Sequence, residues 1–203
     1  MEINKAVFIT SMPNYGPFEG QGLCQIAVAG KSNVGKSSLI NRLTRRNKLA
    51  KTSGTPGKTK LINVFLLNDA FHLIDLPGYG FARVDKQEKL RWGEMMQGYF
   101  ENASELKHVL HLVDIRHEPT QDDLVMNRFL RQSGIPFTVV ATKADKISRS
   151  ARMKYLAPIL RALGVQPWEV IPFSSEDGTG RDDLLALLEK LTAPDASGSE
   201  SAI

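Results

Sequence analysis

The sequence predicts a single α/β domain, with a largely parallel sheet laid down strand by strand between helices, and three observations lead there. Short apolar runs of strand length alternate with longer amphipathic stretches of helix length, the order that builds parallel sheets. A glycine-rich turn, Gly30 to Ser37, joins the first buried run to the first helix. The length of 203 residues suits one such domain with a full core and short appendages. The domain is expected to fill 1–191, N-terminal strand included, and 192–203 is small, polar and structureless by composition.

In chain order, Ala6-Val7-Phe8-Ile9 reads as an edge strand, and Ser11 to Gly22 is rich in turn residues. Cys24 to Ala29 is short and apolar, a strand buried on both faces. Leu39, Ile40 and Leu43 then fall at helical spacing. Arg45 to Lys60 is a long polar loop with Gly54, Pro56 and Gly57, and loops of that length in compact domains are usually functional or mobile. Leu61 to Leu67 and Phe71 to Ile74 are strands joined by an Asn68-Asp69 hairpin turn, so one strand must run antiparallel to the rest. A helix from about Gln87 to Glu101 carries Trp92, Met95, Met96, Tyr99 and Phe100 near one stripe, which reads as core packing. Strands follow at Val109–Val113, Ile135–Val140 and Val170–Phe173, separated by helices at Asp122–Arg131 and Ser150–Leu163, the latter with Pro158 inside it. A last amphipathic helix covers Arg181 to Leu191.

Composition narrows the class. A single cysteine, Cys24, excludes an internal disulfide and fits a reducing, cytoplasmic compartment. No apolar run approaches the ~18 residues of a membrane span, and no basic-then-apolar leader opens the chain. The net charge is only +4, yet no acidic residue occurs between Glu19 and Asp69, an interval holding Lys31, Lys36, Arg42, Arg45, Arg46, Lys48, Lys51, Lys58 and Lys60. A second anionic partner such as RNA, or a merely solvated basic loop, would each account for this excess.

The turn Gly30-Lys31-Ser32-Asn33-Val34-Gly35-Lys36-Ser37 has two glycines separated by four residues and followed by Lys and Ser, the P-loop pattern, between a strand and a helix. Backbone N–H groups of such a turn converge on phosphates, with the positive end of the helix dipole behind them. Lys36 would reach the β- and γ-phosphates and the Ser37 hydroxyl would ligate Mg²⁺. About forty residues on, a strand ends in Asp75-Leu76-Pro77-Gly78. That places a carboxylate to hold Mg²⁺ through water and a glycine N–H to sense the γ-phosphate. The strand at 135–140 delivers Thr142-Lys143-Ala144-Asp145. The Asp145 carboxylate would accept from guanine N1–H and the 2-amino group, whereas adenine would leave it unpaired. Lys143 would lie along the base and pack back on the P-loop. After the last strand, Phe173-Ser174-Ser175 would bring backbone N–H groups to guanine O6. His108, His111 and His117 show no metal-ligand pattern, and no catalytic triad or carboxylate pair stands out.

The ordered set Gly-x-x-Asn-x-Gly-Lys-Ser, Thr55-Pro56-Gly57-Lys58-Thr59 followed by Leu61-Ile62-Asn63, Asp75-Leu76-Pro77-Gly78-Tyr79-Gly80 and Thr-Lys-x-Asp resembles the EngB family of bacterial GTPases, in the Era-like branch. The resemblance implies a Ras-like G domain: a six-stranded, mostly parallel sheet with one antiparallel strand and helices on both faces. It implies GTP/GDP and Mg²⁺ as ligands and slow hydrolysis. Thr59 matches the switch threonine that ligates Mg²⁺, with Gly57, Lys58, Lys60 and Leu61 beside it on the nucleotide. Thr59 and Gly78 would be held in the triphosphate state and released by hydrolysis. The implied role is assembly of the large ribosomal subunit, through rRNA or ribosomal protein, by a monomer. Impaired division and septation would follow its loss; a GTP-dependent scaffold acting directly on division partners is the alternative. No catalytic residue is assigned. Where Ras-type proteins place a water-orienting Gln, this chain has Tyr79, and Gln87 lies too far along to assign. Asn33 stands where Era-like relatives bind K⁺, and it equally suits a tight turn.

Overall fold

The computed structural model describes residues 1–18, 20–51, 61–80 and 86–193. Its strands are β1 (Ala6–Met12), β2 (Gln25–Gly30), β3 (Ile62–Leu67), β4 (Phe71–Asp75), β5 (Leu106–Asp114), β6 (Phe137–Thr142) and β7 (Val170–Pro172). The helices are α1 (Lys36–Thr44), α2 (Lys86–Asn102), α3 (Gln121–Gln132), α4 (Arg152–Leu163) and α5 (Arg181–Thr192). They form an α/β fold on one sheet in the order β1-β3-β4-β2-β5-β6-β7. β3 is antiparallel to both its neighbours, and every other pairing is parallel.

The sheet has seven strands rather than six. β1 adds itself along β3, pairing Ala6 with Leu67 through to Met12 with Ile62, with a register shift between Phe8 and Thr10. The backbone of β3 would otherwise be an open edge, and β-branched and aromatic residues at Val7, Phe8 and Ile9 suit the position. The β3–β4 hairpin turns at Asn68 and Asp69, whose φ values of 52° and 54° make the two-residue turn whose twist matches antiparallel strands. Asn68 also accepts from the Asn4 and Lys5 N–H groups at 2.9 and 3.1 Å, fixing the entry to β1.

Alternation along β2 explains the two main cores. Ile26 and Val28 face α1 and α5, meeting Leu39, Ile40, Leu43, Leu184 and Leu188. Ala27 and Ala29 face α2 and α3, meeting Met96, Tyr99, Met126 and Leu130, and the Trp92, Met95 and Phe100 stripe packs there as well. A third cluster seats α4 on β6 through Leu156, Ile159 and Val139. The C-terminal ends of β2, β4, β5 and β6 therefore open on one rim of the sheet, where ligands of open parallel sheets bind.

Candidate nucleotide and metal site

β2 ends at Gly30, and the packing there leaves room for no side chain. A Cβ would sit 2.8 Å from Val34 Cγ1 and 3.0 Å from Leu112 Cβ. The turn closes through left-handed backbone at Asn33 (φ 63°) and Gly35 (φ 114°). α1 begins at Lys36, and the first bond back into the turn is Leu39 N–H to the Gly35 carbonyl at 2.9 Å. The preceding N–H groups are the helix's own unmatched donors, and no acidic side chain occupies that first turn. Two loop donors are already spent: Ser32 N–H donates to the Tyr79 carbonyl at 2.8 Å and Val34 N–H to the Lys31 carbonyl at 3.1 Å.

Beneath the turn, Lys36 faces Asp75 and Gly78. Burial lowers the Lys36 ammonium below the usual lysine range, and the Asp75 charge opposes that shift. Burial raises the Asp75 carboxyl above its usual range, against Lys36 and the hydrogen bond from Asn63. Asn63 Nδ2 donates to Asp75 Oδ2 at 3.2 Å, and Asn63 itself is held by the Ser11 hydroxyl at 2.5 Å. Asp75 Oδ1 is buried with no hydrogen-bond partner among the described residues. A buried carboxylate oxygen left open beside a P-loop serine fits a hard, oxygen-seeking cation held partly through water. Ser37 and Asp75 are thus the described residues that would hold Mg²⁺, and the ion would neutralise phosphate charge there. Among the described residues no group of three His, Cys, Asp or Glu could hold a metal alone, so phosphate oxygens and water would complete the shell. Gly78 lies against Ser32 and Lys36, since a Cβ on it would be 3.1 Å from Ser32 N and from Lys36 Nζ.

At the base end, Thr142, buried at the tip of β6, donates to the Val34 carbonyl at 2.7 Å, with the Val113 carbonyl at 3.1 Å. Lys143, in left-handed backbone (φ 62°), reaches the Asn33 carbonyl with its ammonium at 2.9 Å. Its second partner is Asp114 Oδ2, also at 2.9 Å. Arg116 grips Asp114 through Nε and Nη2 at 2.9 and 2.7 Å. Burial would raise the Asp114 carboxyl, but these bonds from Arg116 and Lys143 outweigh it and hold it well below the usual range. Asp145 Oδ1 accepts from the Ser174 hydroxyl at 2.9 Å and Oδ2 pairs with Lys146 at 3.0 Å. Partial burial pushes the Asp145 carboxyl up, and the Lys146 and Ser174 hydrogen bonds bring it below the ordinary value. An ionised carboxylate keeps acceptor sites beyond those two, enough for two further donors.

Several expected contacts fall elsewhere. Phe173 is buried in the core with α1 and α5, and its N–H is taken by the Ala141 carbonyl at 2.8 Å, so it has no backbone donor to offer a base. The Ser174 N–H is taken by the Thr179 carbonyl at 3.0 Å, which leaves Ser175 as the backbone donor of that pair. Ala144, Val34 and Leu76 are buried and contribute backbone alone, and Pro77 gives its carbonyl to Trp92 Nε1 at 3.1 Å. Gly57, Lys58, Thr59 and Lys60 lie outside the described residues; Leu61, just before β3, is exposed. Of the basic residues, Arg42 lays its guanidinium on Gly178, and Arg45 pairs with Glu2 at 3.5 Å. Arg46, Lys48 and Lys51 are exposed.

Sequence reading missed the residues that hold the named ones. Asn63 orients Asp75, and Asp114 with Arg116 orients Lys143. Tyr79 turns inward and donates to Asp123 Oδ1 at 2.8 Å, with His111 Nε2 at 2.9 Å from the same hydroxyl. Asp123 also caps α3, its Oδ2 accepting from Thr120 N–H and Oγ1, each at 2.7 Å. A cavity of about 280 Å³ lies between Lys31 and Val34 of the P-loop and the β5–α3 loop.

Comparison with known proteins agrees with this geometry. Residues 25–143 match the family model described as "50S ribosome-binding GTPase". The chain is 46% identical over 198 residues to the probable GTP-binding protein EngB of Desulfitobacterium hafniense, covering 97% of this chain and 98% of that protein. Against the EngB of Bacillus subtilis it is 43% identical over 192 residues, covering 94% and 98%. A solved structure of a probable GTP-binding protein EngB superposes with a TM-score of 0.66 at 27% identity, over 83% of this chain and 98% of that one. The structure of Era with MgGDPNP and nucleotides 1506–1542 of 16S ribosomal RNA shares the fold, with a TM-score of 0.63 at 24% identity over 85% of this chain and 57% of that one. With the P-loop, the Asp75–Gly78 segment and the Thr142–Asp145 tetrad on one rim, the chain belongs to the EngB family of GTP-binding proteins, P-loop GTPases that convert GTP to GDP and phosphate.

Proposed function

We propose that this GTPase is a slow, Mg²⁺-dependent switch that acts on the large ribosomal subunit during its assembly in the cytoplasm, as a monomer. The observation that carries the nucleotide assignment is the bridge from the base loop to the phosphate loop: Lys143 Nζ donates to the Asn33 carbonyl while Thr142 holds the Val34 carbonyl. Two loops far apart in sequence are thereby fixed as one surface, with the guanine carboxylate at one end and Lys36 and Asp75 at the other. Ser37, Asp75 and Thr59 would share the metal, Thr59 being carried over from the family pattern. Lys36 and the α1 N-terminus would draw charge from the phosphates, and Gly78 N–H would meet the γ-phosphate.

The ribosomal partner rests on the family description and on surface charge. Arg46, Lys48 and Lys51 are exposed and free of acidic partners among the described residues, a suitable contact for RNA phosphates. Arg42 and Arg45 are weaker candidates, since Gly178 and Glu2 already engage them. No helix among the described residues is long and apolar enough to cross a membrane. The test is gradient sedimentation of purified subunits with the protein bound to GDP or to a non-hydrolysable GTP analogue. Nucleotide-dependent migration with the large subunit is expected. Replacing Arg46, Lys48 and Lys51 by Ala should weaken it and flatten its salt dependence by roughly 0.7–0.9 in log–log slope per lost phosphate contact. Protein remaining at the top of the gradient in both states would instead favour a scaffold acting on division partners.

A further inference from the structure

Tyr79 stands immediately after the glycine expected to sense the γ-phosphate, and the structure pins it from four sides. Its hydroxyl has one proton, which goes to Asp123 Oδ1 at 2.8 Å, so the 2.9 Å contact with His111 is a bond donated by Nε2–H. Burial holds His111 down to about 4, so it is neutral at pH 7 and that tautomer carries a single proton. Its other nitrogen, Nδ1, has no partner among the described residues, in keeping with that assignment. Asp123 is fixed in turn by Thr120 at the start of α3. Trp92 stands edge-on to the Tyr79 ring at 5.9 Å and ties the Pro77 carbonyl. On the backbone, Tyr79 bridges to the P-loop: its carbonyl takes Ser32 N–H at 2.8 Å, and its N–H lies 3.4 Å from the Gly30 carbonyl. Gly78 is therefore suspended between two anchored residues, and its own N–H has no hydrogen-bond partner among the described residues.

We propose that Asp123 and His111 are positioning residues for GTP recognition: by anchoring the Tyr79 phenol in the interior, they hold the Gly78 peptide against Ser32 and Lys36, where it meets the γ-phosphate. This rests on the reading that a nucleoside triphosphate occupies the P-loop. The position that carries a water-orienting Gln in Ras-type GTPases here serves as a fixed point. It follows that Gly78 is held before the triphosphate arrives and, against the expectation that hydrolysis releases it, stays held afterwards, so switching is carried by other segments. GDP has no γ-phosphate for Gly78 to meet, so the anchor affects GTP and GDP unequally. That inequality separates positioning from plain core packing.

The test compares affinity for GDP and for a non-hydrolysable GTP analogue in wild type, Tyr79→Phe, Asp123→Ala and the double variant. Tyr79→Phe keeps the ring and removes only the link. Analogue affinity is expected to fall roughly 5- to 30-fold, the weight of one buried hydrogen bond, with GDP affinity within about twofold of wild type. The double variant should lose no more than the worse single, because both break the same bond. An unchanged GTP-to-GDP ratio in Tyr79→Phe, or equal losses for both nucleotides, would overturn the proposal. A wild type that binds neither nucleotide would instead defeat the underlying assignment. Should the variants not fold, amide exchange on the wild type decides. Read at single residues, the Tyr79 amide, which faces the Gly30 carbonyl, is expected to be as protected with GDP as with the analogue, with only the Gly78 N–H gaining protection from the third phosphate; Tyr79 protection with the analogue alone refutes the anchor.

Discussion

Thr142 offers the sharpest check on how the base loop and the phosphate loop are joined. Its side chain is 3% exposed, and its single hydroxyl proton goes to the Val34 carbonyl at 2.7 Å, the shorter of its two contacts. Val34 is itself buried inside the P-loop, so that carbonyl has no water to fall back on. Thr142→Val keeps the shape and removes the hydroxyl, leaving a buried acceptor without a donor. The cost of such an orphan is about 1–3 kcal/mol, a sizeable part of the ~5–15 kcal/mol that holds a domain together. Because Val34 lies between the base and phosphate subsites, GDP and GTP affinity should fall together, by roughly 2- to 12-fold if half of that cost appears in binding. Urea unfolding of the nucleotide-free protein and titration calorimetry with both nucleotides read the two effects separately. Thr142→Ser, which restores the donor and loses only a methyl group, should recover most of both. A Thr142→Val protein with the wild-type urea midpoint and GDP affinity, or a Ser variant as damaged as the Val variant, would refute the reasoning.

Three further outcomes are expected. Asp145→Asn should weaken GTP binding and shift preference toward xanthine nucleotides, which carry a carbonyl at position 2; wild-type affinity equal for ATP and GTP would sink the guanine assignment, since such sites discriminate by up to ~10⁴-fold. His108 and His111 are both held neutral by burial, down to about 4, so the unfolded chain takes up their protons first as pH falls. Stability is then full above the unfolded value near 6.5 and is lost toward pH 4, by up to ~1.4 kcal/mol per pH unit for each histidine, and a urea midpoint flat between pH 7.5 and 5 would contradict this. For Asn33, turnover in K⁺ against Na⁺ should be compared in Asn33→Gly rather than Asn33→Ala, because φ 63° would strain alanine. Cation selectivity lost in the glycine variant would identify the amide as a ligand, and selectivity absent in the wild type would leave the turn as the sole reason for Asn33.

Period and punctuation carried most of the fold in the sequence. Alternation around the glycine turn located β2 and α1, and the Asn68-Asp69 pair located the antiparallel hairpin, because each is set by local chemistry. The strand count was less secure. Whether Ala6–Met12 extends the sheet depends on what lies beside it, and pairing with β3, 50 residues downstream for Met12 with Ile62 and 61 for Ala6 with Leu67, has no local signature. The site divides the same way. Lys36, Asp75, Lys143 and Asp145 were legible because their spacing on strand ends is itself the signal. Asn63, Asp114, Arg116 and Asp123 were not, because each acts through a partner brought near only by folding. The two misplacements, Phe173 and the Ser174 N–H, have one cause: a residue next to a binding loop can be claimed by the core or by the loop's own turn first.

The polar groups of the site are not evenly satisfied, and the imbalance bears on how the ligand is recognised. At the base end Asp114, Lys143, Asp145 and Ser174 are all paired, so that surface is set in place before any base arrives. At the phosphate end Asp75 Oδ1 is unpaired, the Lys36 ammonium is lowered by burial, and Gly78 N–H is unclaimed among the described residues. Groups left unmet in the interior cost free energy that a partner of the right charge recovers. A triphosphate with its cation would supply those missing partners: oxygens for Lys36 and the Gly78 N–H, and the cation, through water, for Asp75. Binding strength should therefore be concentrated at the phosphates, while the base end, already paired and rigid, contributes selectivity. A replacement at Asp145 then changes which nucleotide is chosen, whereas a loosened Tyr79 anchor changes whether the third phosphate is felt.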